Sequence, residues 1–201
     1  MAGALVAVGC SASAVLGGCS VISSSLVKAP VKDLVLTVAE IPYPGFVVEH
    51  GSTSAGYYSD ARVAGKDKAL LDELRKAGRD SGYEADFDRD ASPVAAIGPI
   101  VIESSASTYS TATGAEAGLR LVDQQTLAGG ASPISTGTIG QQTFGFTSTE
   151  PLDGTTYEAF VVAWREDNVV AGIEIEGNAA TLDIQYATSL AKLQANRLKA
   201  T

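Results

Sequence analysis

Thr156-Tyr-Glu-Ala-Phe160-Val-Val-Ala-Trp164, then Arg165-Glu-Asp-Asn168, then Val169-Val-Ala-Gly-Ile173-Glu-Ile-Glu176 is the stretch that decides the fold. Two runs rich in β-branched and aromatic residues flank four turn-forming polar ones, which is the signature of a β-hairpin. In the second run Val169, Ala171, Ile173 and Ile175 alternate with other residues. They face a core, while Glu174 and Glu176 face water. Working outward, Thr181–Lys199 reads as an amphipathic helix with Leu182, Tyr186, Leu190 and Leu193 in line. Its final turns carry Lys192, Arg197 and Lys199, which suit the negative end of a helix dipole. Upstream, Phe144 and Phe146 mark another strand, and 131–140 is a Ser/Thr/Gly loop.

The first half of the chain repeats this alternation of strand and helix. Lys66–Ala77 places Leu70, Leu71, Leu74 and Ala77 at helical spacing, with Gly78 positioned as a C-cap. Tyr83, Ala85 and Phe87 then alternate with Glu84, Asp86 and Asp88, a half-exposed strand with its acids in water. Gly98-Pro99 introduces the short apolar run Ile100-Val101-Ile102. Thr113-Gly114-Ala115-Glu116 has the capping-box pattern and opens a helix reaching about Leu127, with the stripe Ala115, Leu119 and Val122, ended by Gly129-Gly130. Nearer the start, Leu34, Leu36 and Val38 alternate, Pro42, Pro44 and Gly45 interrupt, and Phe46-Val47-Val48-Glu49 resumes as a strand. The expected architecture is α+β: an antiparallel sheet with about three helices packed mainly on one face.

Acidic residues number 23 against 14 basic ones, giving a net charge of −9, and 45% of the chain is hydrophobic. That apolar fraction excludes global disorder. Nucleic acid is disfavoured as a partner and none is expected, because phosphate contacts need clustered Lys and Arg. Both cysteines, Cys10 and Cys19, fall in the first tenth of the chain, so the folded part has no disulfide and depends on its core.

Residues 1–27 carry no Asp, Glu, Lys or Arg. Their apolar stretches, Ala4–Val8 and Ala14–Leu16, are too short to span a bilayer, which takes about 20 residues. Leu16-Gly17-Gly18-Cys19-Ser20 resembles a lipobox, the cleavage and lipidation signal of bacterial lipoproteins. Leu16 supplies the apolar anchor, and Gly17 and Gly18 admit an extended backbone to a peptidase cleft. The resemblance implies a signal segment over 1–18, a lipidated Cys19 with a Ser-rich linker over 19–32, and one domain over 33–201. It also implies an extracytoplasmic location, held to the cell membrane by acyl chains at about 0.8 kcal/mol per buried methylene. Cys10 is a second acceptor with Ala in place of the usual Leu. Met1-Ala2-Gly3 lacks the basic residues that open such a signal, so either the start lies upstream or the segment is an apolar N-terminal strand or helix.

The order of elements over roughly 34–199 resembles small α+β lipoprotein domains of GC-rich bacteria. It is also similar to the PsbP/Mog1-like fold and to the extracellular domain of PknH-type sensors. The resemblance rests on that order together with Gly78-Arg79…Gly82-Tyr83 and Thr138-Ile139-Gly140. It implies binding or assembly and carries over no functional residue.

No constellation in the chain points to catalysis. Asp86-Phe87-Asp88-Arg89-Asp90 opens like a calcium loop, but Ala91 and Ile97 stand where an EF-hand needs Gly and Glu. The sole histidine, His50, lies near Ser52 and Ser54 with no Gly-x-Ser-x-Gly elbow, and reads as a loop residue. Gly129-Gly130 and Gly137-x-x-Gly140 lack the Lys-Ser/Thr of a phosphate loop and read as turns. Tyr157, Phe160 and Trp164 are the candidate ligand-binding residues between sheet and helix, Glu158, Glu174 and Glu176 a candidate acidic cluster, and Tyr57-Tyr58 a candidate contact pair on a loop. No metal and no cofactor is expected. The function expected is non-catalytic binding of an envelope protein or a small ligand. The rivals are an envelope hydrolase using His50 or a carboxylate pair, and a passive structural spacer.

Overall fold

In a computed structural model, residues 26–49, 55–89 and 97–201 are described. The lipobox-like run with Cys10 and Cys19, His50 with Ser52 and Ser54, and Asp90-Ala91 lie outside them. The chain enters through two 3₁₀ turns, Val31–Asp33 and Val38–Glu40. Then follow β1 (Phe46–Val48), β2 (Ala55–Tyr58), α1 (Asp60–Ala64), α2 (Lys68–Ala77), β3 (Arg79–Arg89), β4 (Pro99–Tyr109) and α3 (Ala112–Ala128). The second half comprises β5 (Ser132–Pro133), β6 (Gln142–Leu152), β7 (Thr155–Glu166), β8 (Val169–Asn178) and α4 (Ile184–Ala200).

The strands form one antiparallel sheet in the order β1-β3-β4-β8-β7-β6-β5, with β2 also paired to the outer edge of β3. The class is therefore the α+β class expected. The hairpin at its centre pairs Glu166 with Val169, so its turn is two residues long, with Asp167 at a φ of 47°. Asn168 is buried beside it: its Nδ2 donates to Tyr109 O at 2.9 Å and its Oδ1 accepts from Val27 N at 2.8 Å.

Helices cover both faces of the sheet, not mainly one. On the inner face, α4 lies across β7 and β8, where Phe87, Ile102, Val162, Trp164, Ile173 and Leu190 form the main core. On the outer face, α3 packs Ala115 and Leu119 against Tyr109, Ala163 and Val170, and α2 packs Leu70 and Leu74 behind it. Ala163 and Val170 alternate with Val162, Trp164 and Ala171 along their strands, so the two clusters lie on opposite sides.

Local chemistry accounts for the helix ends. Asp67 caps α2 by accepting from Ala69 and Leu70 N–H, and Gly78 closes it in the left-handed conformation at a φ of 71°. Thr111, not Thr113, caps α3, its hydroxyl accepting from Gly114 N–H. Gly114 and Gly118 are buried on this helix because a Cβ at either would overlap Ala77 O or the Tyr109 ring. In α4 the buried stripe runs through Ala187, Leu190, Ala191, Gln194 and Leu198, leaving the expected Leu193 39% exposed.

Residues 34–38 form no strand. Leu34, Val35 and Leu36 are buried as an irregular segment. Leu36 N–H bonds the Ser104 hydroxyl at 2.9 Å, and that hydroxyl donates to Gln194 Oε1 at 3.0 Å. Gln194 Nε2 donates in turn to Ser105 O at 3.0 Å. Replacing Ser104 with Ala leaves a buried N–H and a buried amide oxygen without partners. The expected loss is about 1–3 kcal/mol in urea denaturation, whereas Ala at exposed Ser189 should change little.

Candidate functional site

A cavity of about 430 Å³ opens on the outer face of the sheet, beneath α2 and α3. The register explains its floor. Glu84, Ser105, Gly172 and Ala163 form one cross-strand row; Asp86, Glu103, Glu174 and Val161 form the next; Asp88, Val101, Glu176 and Ala159 form a third. Ser105, Glu103, Glu174, Gly172 and Val161 border the cavity. Its walls are Leu70 and Leu74 of α2, with Val122, Gln125 and Thr126 of α3. At this size, with apolar walls and a few polar groups, it has the character of a small-ligand site.

The floor differs from the sequence expectation in one respect that matters. Glu84, Asp86, Glu103 and Glu174 do not project into open water: Glu84 is 9% exposed and the other three are half-buried. Arg62 pairs with Glu84. No Lys or Arg among the described residues pairs with Glu103 or Glu174. Burial, reinforced by Glu174, Asp86 and Glu84, pushes the Glu103 carboxyl up to about 8. Burial and the charges of Glu176 and Asp86 raise Glu174. Burial, with Glu84 and Glu49 nearby, lifts Asp86 to about 6, and its Oδ1 has no hydrogen-bond partner. Only Glu176, at the row beyond the cavity, is exposed.

Arg79 closes one end of the site. Its side chain is 3% exposed, and its guanidinium holds Asp60 at 2.8 Å while Nε donates to Ser107 Oγ at 3.2 Å. It also stacks on the Tyr58 ring at 4.6 Å, and the Tyr58 hydroxyl shares a hydrogen bond with Ser107. Gly82 is required opposite Tyr58, since a Cβ there would overlap both Arg79 and the Tyr58 ring.

The candidates read from sequence fall elsewhere. Trp164 is fully buried and Phe160 8% exposed; both belong to the inner-face core under α4, and neither they nor Tyr157 border the cavity. Glu158 is separated from Glu174 and Glu176, on the inner side, where it accepts from Thr147 Oγ1 at 3.1 Å. The Tyr57-Tyr58 pair divides: Tyr57 is 63% exposed and packs edge-on against Tyr83, while Tyr58 turns inward over Arg79. Both stand on a strand, β2, not a loop. Glu103 and Gly172 were not signalled by any motif. The available hint was an apolar surplus, since the stripes of two helices need more sheet than one face offers.

Among the described residues no group of His, Cys, Asp and Glu is arranged to hold a metal ion, and no helix is long and apolar enough to cross a membrane. No family model matches the chain, and no curated protein matches it. Among solved structures it is similar to the extracellular domain of PknH from Mycobacterium tuberculosis, at 11% identity and a TM-score of 0.47, over 85% of this chain and 95% of that one.

Proposed function

We propose that this chain is a non-catalytic binding domain, tethered outside the cytoplasm by a lipidated Cys19, which takes a small ligand into the cavity beneath α2 and α3. The observation that carries the binding reading is that cavity of about 430 Å³, walled by Val122, Leu70 and Leu74 and floored by Ser105, Glu103 and Glu174. The tether rests on Leu16-Gly17-Gly18-Cys19 and on the uncharged stretch before Lys28. An acidic domain of net charge −9 is repelled by anionic headgroups, which suits a domain held off the membrane by a linker.

The Glu103–Glu174 pair gives a hydrolase reading its one foothold. An acid–base pair needs one carboxyl ionised beside a protonated one, in environments that push them apart. Here both are raised by the same burial, which favours binding over turnover.

Mass spectrometry of the protein extracted from its native membrane tests both parts. The N-terminal peptide is expected to begin at a diacylglyceryl-modified Cys19, and an unmodified Met1–Cys19 peptide removes the tether. Under native conditions a non-covalent adduct is expected on the wild type and not on Gly172→Leu. At that position a Cβ meets only the rotatable Ser105 hydroxyl at 2.9 Å and the Val162 carbonyl oxygen at 3.9 Å, so the larger side chain fills the cavity. No adduct on either protein, or the same adduct on both, overturns the cavity as the binding site.

A further inference from the structure

We infer that the cavity selects an organic cation, with an ammonium group between Glu103 and Glu174 and an apolar body against Val122, Val161 and Leu74. This rests on the cavity being the ligand site and adds the chemistry of what enters it.

Glu103 and Glu174 stand directly opposite each other on β4 and β8, where ionising both would set like charges side by side, a destabilising arrangement. Burying carboxyls without a partner is costly. All 14 Lys and Arg of the chain lie among the described residues, and none pairs with either glutamate. Arg79, the cation on the cavity wall, is already held by Asp60, Ser107 and Tyr58. Arg62, the one cation that acts on Glu103, is already paired with Glu84, so no ion pair answers Glu103 or Glu174 themselves.

A second source of negative potential comes from the opposite wall. Gln125 and Thr126 of that wall lie in the last turn of α3, a 17-residue helix with no basic residue in that turn. The carbonyl end of a helix favours a positive group by about 0.3–1 kcal/mol; the Gln125 and Thr126 carbonyls accept from Gly129 and Ala131 N–H, but no basic side chain offsets the dipole at this end. Beside Glu103 and Glu174, Asp86, Asp88 and Glu176 project from the same face of the sheet, as does Glu84, which Arg62 pairs. Such one-signed fields draw oppositely charged ligands into clefts. A bare metal ion is a poorer match, since three or more ligating groups do not converge among the described residues. The apolar walls would also be wasted on one.

The titration behaviour agrees. The groups facing Glu103 are Glu174 from β8, Asp86 and Glu84 from β3, and Arg62 from α1. Those facing Glu174 are Glu176 and Asp86. Anions dominate both sets, so near neutral pH Glu103 holds a proton that an arriving ammonium would expel.

The test uses the full chain and three probes of similar shape: 2-phenylethylammonium, 2-phenylethanol and 3-phenylpropionate, followed by amide chemical shifts and by calorimetry in buffers of different ionisation enthalpy. The ammonium probe is expected to shift the amides of Ser105, Gly172 and Val161. It should bind at least tenfold more tightly than the alcohol and release protons at pH 7. In the Glu103→Gln/Glu174→Gln variant its affinity should fall tenfold or more, with the alcohol unaffected. If the alcohol or the carboxylate binds as well as the ammonium, or the double variant binds the ammonium unchanged, cation selection is wrong while the cavity survives as a binding site. If none of the three shifts the cavity amides, both the cavity and its selectivity fall.

Discussion

Replacing Glu103 with Gln is expected to stabilise the protein by on the order of 5 kcal/mol at pH 9 and to change its stability little near pH 4. In the folded chain this carboxyl is pushed up to about 8, chiefly by burial, whereas an unfolded chain titrates it near the ordinary glutamate value of about 4.3. Below that value both states hold the proton and Glu103 imposes no penalty. As pH rises through the window up to about 8, the unfolded chain releases its proton and the folded chain does not, so stability falls. Above about 8 both states are ionised and the loss is complete. The wild type should therefore weaken progressively from about pH 4 to pH 8, and Gln, uncharged throughout, removes this contribution. Asp86, raised to about 6 by burial and by Glu84 and Glu49, adds a smaller decline of the same sign. Urea denaturation of both proteins at pH 4 and pH 9 measures the difference. Equal stability at pH 9 would mean that Glu103 is well solvated, and the unpaired floor would lose its meaning.

The same carboxyls show where sequence reading reaches and where it stops. The hairpin was legible because turn residues and alternation agree over two long runs, and Val169, Ala171, Ile173 and Ile175 do lie against the core. Gly78 was legible as a cap because only a residue tolerating a left-handed backbone ends α2 so abruptly. Alternation, however, assigns a face and not its environment. Glu84 and Glu174 were placed opposite the apolar residues correctly, but that face is roofed by α2 and α3, which no local pattern states. The stripe Ala115, Leu119 and Val122 and the pair Leu70 and Leu74 were visible, yet α4 and the buried segment 31–36 together cover the inner face, which leaves those stripes for the outer one. Residues 34–38 misled for a related reason. Their alternation is genuine, but Leu36 N–H bonds a serine side chain rather than a strand, a tertiary choice. Likewise Leu193 loses its place in the α4 stripe to Gln194, whose amide meets Ser104 and Ser105. The Gly78-Arg79…Gly82-Tyr83 phrase had a physical content that emerged only in three dimensions: Gly82 clears the space in which Arg79 lies over Tyr58.

That arginine sets the second large effect. Asp60→Ala is expected to destabilise the fold by about 3–5 kcal/mol, and Arg79→Met by clearly less. The two members of the pair are unequally buried: the Arg79 side chain is 3% exposed and the Asp60 side chain 21%. Removing Asp60 strands a guanidinium that cannot deprotonate, among Tyr58, Ser107 and Tyr109, with no second carboxylate hydrogen-bonded to it. Removing Arg79 leaves an aspartate that can recruit water and stands in the first turn of α1, where the helix dipole favours its charge. Met fills much of the vacated space against Tyr58. The double variant Asp60→Ala/Arg79→Met should therefore be more stable than Asp60→Ala alone, because the second change removes the stranded charge. Chemical denaturation of the three variants checks the order. If Arg79→Met costs as much as Asp60→Ala, the guanidinium is acting mainly through its packing on Tyr58 and its bond to Ser107, and the wall of the cavity is held by shape more than by charge.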